Sequence, residues 1–225
     1  MSRTLPPATP PTSTLGPAAG ARVTAPSAVL ATVCIAAPLT DALASALHPE
    51  LPAEGGAFLT TVAAAGGWYT MSLISLLAAA LVGAALTVLA GLARRARVLA
   101  VLGLVTGVAG VTLMAAMQGF KLFLPTLAAT TPEAGTAVGA FIDSPAFLPM
   151  IAGFVLRLAG WILIAAALLR AGAAPWPAAV GIAGGAIVAF LLPAGPDAVG
   201  WVIVAAAVAW VLVVRRSTRG APAAR

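Results

Sequence analysis

Apolar residues dominate this chain in six blocks, and each block is cut from the next by Pro, Gly, charge or Trp. The blocks cover roughly residues 27–47, 69–91, 98–118, 148–169, 177–193 and 198–214. About 20 apolar residues, with a workable range of about 17 to 25, carry a helix across a hydrocarbon core. In lipid a backbone must satisfy its own hydrogen bonds, so such blocks form helices. The expected fold class is all-α: a polytopic transmembrane helix bundle of six spans. The last two blocks are the shortest, and Pro193, Gly195, Pro196 and Asp197 between them make a turn that no helix continues through. They are therefore two spans and not one long helix.

Composition agrees with this pattern. With 61% hydrophobic and 8% charged residues, a water-soluble fold would lack the polar groups to cover its surface. The formal net charge of +6 does not point to nucleic acid, because the arginines occupy short loops and tails instead of one interleaved patch. They sort by side. Of the twelve Lys and Arg, ten (Arg3, Arg22, Arg94, Arg95, Arg97, Arg170, Arg215, Arg216, Arg219 and Arg225) fall beside the same ends of the spans. Glu50, Glu54, Glu133, Asp143 and Asp197 fall on the opposite side with Lys121, while Asp41 and Arg157 lie inside spans. Basic loops stay in the cytoplasm, so both termini are expected there.

Residues 1–26 carry six prolines (Pro6, Pro7, Pro10, Pro11, Pro17 and Pro26) among Thr, Ser, Ala and Gly, a composition unable to bury a core. They are expected to form a disordered cytoplasmic tail, ahead of a transmembrane domain at 27–214 and a basic cytoplasmic tail at 215–225. A cleaved signal peptide is the competing reading, since Arg22 precedes an apolar run and Ala44-Ser45-Ala46 has the spacing of a cleavage site. Pro38 and Asp41 interrupt that run, and its removal would leave five spans. Between spans, residues 48–67 are too polar and too broken to cross, although 57–65 fits a short interfacial helix. Residues 120–145, with Pro125, Pro132 and Pro145, are expected to form a loop covering the bundle as a lid. Trp68 and Tyr69 on the outer side, and Trp176 and Trp210 on the inner, are expected to anchor the interfaces.

Small residues mark helix contacts. In the third span Gly103, Gly107, Gly110, Met114, Met117 and Lys121 recur at alternating four- and three-residue spacing, one continuous seam. Gly103/Gly107 and Gly181/Gly185 form GxxxG pairs that let backbones approach. Gly153 and Gly160 bracket Arg157 on one face of the fourth span. The bilayer is the first partner expected, and a second copy of the chain or another membrane protein is the protein partner such faces suit.

The residues that a bilayer should exclude carry the functional question. Arg157 lies near the middle of the fourth span, where an unpaired charge costs about 2.5 to 3.5 kcal/mol on insertion scales. It needs a partner. Asp41 sits six residues from the outer end of the first span, about 9 Å deep at the helical rise. The long Arg157 side chain reaches upward toward the same level. Gln118 and Lys121 end the third span on one face at similar height, so Asp41, Gln118, Lys121 and Arg157 are expected to share the outer half of the bundle. Such a cluster is either a water-accessible binding or proton-handling site or a closed pair that fixes helix register.

Catalytic signatures are sparse. His48 is the one histidine and Cys34 the one cysteine, so a bis-His haem and a CxxC redox pair are excluded. No HExxH, P-loop or Rossmann glycine pattern occurs. His48 with Glu50 and Glu54 lacks the further His or Cys that would complete a zinc site. No cofactor, no metal and no catalytic activity are expected. The stretch Gly160-Trp161-Ile162-Leu163, Arg170-Ala171-Gly172 and Pro175-Trp176 resembles a recurring segment in small multi-spanning membrane proteins of high-GC actinobacteria, a family of unknown function. The resemblance covers about a tenth of the chain. It implies a bacterial plasma membrane and transfers no functional residue. Three classes follow: a non-enzymatic partner-binding or accessory subunit, preferred on the sequence; a small transporter or channel built on the Asp41 and Arg157 cluster, its spans one to three and four to six forming opposed halves; and, last, a membrane enzyme acting on lipid.

Overall fold

The computed structural model describes residues 26–49, 55–130, 134–142 and 144–220. Among them are eight α-helices and no strand: α1 (Ala28–Ala46), α2 (Gly55–Ala64), α3 (Trp68–Leu92), α4 (Arg97–Thr130), α5 (Ala134–Ile142), α6 (Leu148–Arg170), α7 (Trp176–Leu191) and α8 (Ala198–Gly220). Residues 1–25 and 221–225, as well as Glu50, Glu54, Glu133 and Asp143, lie outside the described residues. By length and composition α1, α3, α4, α6 and α8 are long and apolar enough to cross a membrane. The molecule is an all-α integral membrane bundle. α7 has 16 residues, about 24 Å at the helical rise, so the fifth of the six expected spans falls short of the others. Its end has a local cause: Leu192 turns extended (ψ 148°) because the ring of Pro193 disfavours helical backbone in the residue before it.

Two expectations change. The segment 120–145 is helical over most of its length, since α4 runs on to Thr130 with Pro125 inside it and α5 follows. A proline deprives the carbonyl four residues back of its helical donor. Here that carbonyl belongs to Lys121, and the indole Nε1 of Trp68 donates to it at 2.8 Å. Trp68 is accordingly 1% exposed, a buried hydrogen-bond donor and not an interfacial anchor. α2 and α5 pack on one another and on α4, so helices, not a loop, flank this part of the bundle.

The two ends of the bundle differ. At one, the basic end, a 3-10 turn at Arg94–Ala96 joins α3 to α4, and α6 turns into α7 through Gly172 in the left-handed region (φ 62°). That conformation lets Ala173 N bond Leu168 O at 2.8 Å and Gly172 N bond Leu169 O at 3.0 Å, closing a Schellman cap. Arg215 of α8 donates to Ala173 O at 3.2 Å and to Leu92 O at 3.4 Å, tying three helix ends together. At the opposite end Ser45 of α1 bonds Asp197, just before α8. α1 therefore begins, and α8 finishes, at the basic end.

Glycines set the closest contacts. α6 packs on α4 so tightly that a Cβ on Gly160 would run into the backbone of Gly107, and one on Gly110 into the backbone of Arg157 and Gly153. Gly103 meets Ile164 in the same seam. α7 and α8 meet likewise, with Gly185 against Gly200 and Val204 and Gly181 against Ala207. All seven sequence-marked glycines thus face helices of their own chain. The spans neighbour one another in chain order, α1 on α3, α3 on α4, α6 on α7 and α7 on α8, and the first three meet the last three along two seams, α4 on α6 and α1 on α8. Toward the basic end the interior is dry and apolar: Leu86, Leu89, Ile164, Leu168, Ile182, Val208 and Val211 are all buried.

Candidate functional site

The polar residues gather at the end away from the arginine loops. Asp41 and Arg157 are each 8% exposed and form a direct ion pair, Arg157 Nη2 donating to Asp41 Oδ2. The α4–α6 seam positions this arginine, for its own backbone is one of the surfaces against which Gly110 packs. Arg157 Nη1 lies 3.6 Å from Met114 Sδ, and the guanidinium sits 4.3 Å above the Trp201 ring, within cation–π range. Its Nε has no hydrogen-bond partner among the described residues.

Lys121 stands differently. It is also 8% exposed, yet among the described residues it has no carboxylate within ion-pair reach. Its Nζ lies 3.3 Å from His48 Nε2 and 5.9 Å from the Trp68 ring centroid. His48 Nδ1 sits 2.9 Å from Pro49 O, so the neutral tautomer donates there and accepts from Lys121. Burial, and then the Lys121 ammonium, push the His48 pKa below its ordinary 6.5. The edge of the imidazole packs on Trp68 at 6.0 Å between ring centroids. One indole thus holds the backbone of Lys121, faces its ammonium and packs against its histidine neighbour.

Asp197, in the turn ahead of α8, completes the wall. Its Oδ2 accepts from Ser45 Oγ at 3.0 Å, and its Oδ1 is buried without a partner among the described residues. Burial raises its carboxyl above the usual 3.8, opposed first by the Ser45 hydroxyl. Gln118 is 8% exposed, and its Oε1 is likewise unpartnered.

These groups surround one cavity of about 450 Å³, a size typical of small-molecule sites. Asp41, Gln118, Lys121 and Arg157, the four residues singled out from the sequence, all line it, together with Ser45, His48, Asp197 and Trp201. Sequence reasoning missed that second set. The available signal was positional: His48 and Asp197 each follow or precede a span at the same end as Lys121. Trp201, on the cavity wall, packs against the buried Trp161 with 6.5 Å between ring centroids.

Chemically, the lining combines two cationic side chains, Lys121 and Arg157, with the carboxylates of Asp41 and Asp197 and the amide of Gln118. Among the described residues no three His, Cys, Asp or Glu side chains gather as metal ligands would, and Glu50 and Glu54 fall outside them. With these contacts in view, no protein-family model, curated protein or solved structure matches the chain.

Proposed function

We propose that the protein is a small membrane carrier whose substrate binds in the cavity between α1, α4, α6 and α8. The observation that supports this best is a buried Lys121 with no acid beside it among the described residues, on a cavity that Gln118 and Asp197 also line. An ion pair that only fixes helix register needs neither a further cation nor a cavity. An accessory subunit needs an apolar face, which any lipid-exposed helix supplies, so that feature carries no weight between the two readings. Polar groups buried in a membrane are expensive and are kept for ligands, ions or protons.

In this reading the cavity faces outward, with the apolar interior as the closed gate, and the two glycine-packed pairs, α4–α6 and α7–α8, move as rigid units. The arginine asymmetry supports an orientation with the basic end in the cytoplasm, and the resemblance noted above supports a bacterial plasma membrane. Accessibility tests the site. Gln118→Cys in a Cys34→Ala background should react in intact cells with a small membrane-impermeant thiol reagent. Complete protection, in a variant that still reaches the membrane, would overturn the proposal.

A further inference from the structure

The cavity has two kinds of wall. One wall carries the polar side chains of Lys121, Gln118, Arg157 and Asp197, whereas the edge between α6 and α7 is made of Ile151, Phe154, Phe190 and Leu192. These four rim residues are 48%, 38%, 44% and 40% exposed. Ile151 and Phe154 fall within the first two turns of a membrane-spanning helix, so the surroundings they are exposed to are lipid. A site for a freely diffusing polar solute has no use for an apolar rim facing the hydrocarbon.

We infer that the ligand is an amphiphile with a zwitterionic head, its anionic group on Lys121, its cationic group on Asp197, and its chain leaving between α6 and α7 into the bilayer. This rests on the carrier reading and narrows it to a substrate class. The charge count in the cavity supports a dipolar head over a purely anionic one. Among the described residues Arg157 is matched by Asp41, which leaves Lys121 as the surplus cation and Asp197, hydrogen-bonded by the neutral Ser45 hydroxyl, as the surplus anion. The apolar rim separates a lipid from a free zwitterion of the same head chemistry, because only the former has a chain that can leave past Ile151 and Phe190 without entering water.

The test uses the full chain in detergent micelles and three probes: short-chain phosphatidylethanolamine, short-chain phosphatidylglycerol, and the deacylated head glycerophosphoethanolamine. Binding is followed by calorimetry and by protection of the Gln118→Cys thiol from reagent. Saturable binding of the phosphatidylethanolamine is expected, at least tenfold tighter than either other probe. Lys121→Gln should weaken it at least tenfold. Ile151→Ala, which shortens an exposed side chain without adding a polar group, should reduce the preference for the acylated form while the fold remains. Equal binding of acylated and free head would overturn the amphiphile and leave the carrier standing. Phosphatidylglycerol bound as tightly would overturn the dipolar head. No binding of any probe would overturn the inference as a whole, and a Gln118→Cys thiol that is also unreactive would take the carrier reading with it.

Discussion

The outer and basic halves of this bundle are built from the same helices by opposite rules. In the outer half charged side chains are buried against ion-pair, histidine and indole partners, and several polar atoms stay unpartnered among the described residues. In the basic half Leu, Ile and Val interlock, and charge is confined to helix ends where Arg215 bonds backbone carbonyls. The difference separates, along the helix axis, a half held by charge from a half packed by apolar shape. Substitutions should therefore behave differently according to depth.

The largest effect is expected at the ion pair. Arg157→Leu leaves Asp41 buried and unmatched, which costs about 3–5 kcal/mol, whereas adding Asp41→Asn should restore most of the loss. Thermal melts of the single and double variants in detergent read this directly. A double variant no better than the single would remove the pair from the stability account. In the basic half Leu168→Ala should cost about 2–5 kcal/mol by opening a void, with no second-site polar rescue, and should leave thiol labelling in the cavity unchanged. Altered labelling there would dissolve the division between halves.

Gly160→Ala comes next. Its added methyl meets the Gly107 backbone, so about 1–3 kcal/mol of overpacking is expected. Gly83→Ala, where nothing lies within 4 Å of the new carbon, is the matched control and should be neutral or slightly stabilising. Equal melting temperatures for the two variants would mean that the seam does not set the packing.

The smallest effect is in pH. The His48 pKa is lowered in the folded state, so as pH falls below 6.5 the unfolded chain takes a proton first and stability declines until the folded pKa is passed. Asp197 works the other way. Its pKa is raised, so the folded state protonates first and stability rises as pH falls from that raised value to 3.8. Melts between about pH 7.5 and 3.5 should lose their first acid decline in His48→Gln and their later recovery in Asp197→Asn. A decline that survives in His48→Gln would assign it to another group.

Much of the architecture was legible because a bilayer imposes one strong rule, and the apolar blocks follow it. The depths of Asp41 and Arg157 along their helices were enough to bring them within reach, and they pair. What could not be read was local and depended on tertiary contacts. Pro125 signals a helix end by itself, and only the indole of Trp68, more than fifty residues earlier, reveals why α4 continues past it. Trp68 has the position of an interfacial ring, and burial beneath α2 and α5 is invisible to hydropathy. Asp197 looked like a turn residue because it is one; its second role needs Ser45, 152 positions away.

The brevity of α7 has a consequence beyond the chain itself. A hydrophobic segment of about 24 Å beside a hydrocarbon slab about 30 Å thick creates a mismatch, which the leaflet relieves by thinning or the helix by recruiting flanking residues. Along that flank the phosphate plane would dip toward Phe190, shortening the descent of a lipid head from its own leaflet into the protein.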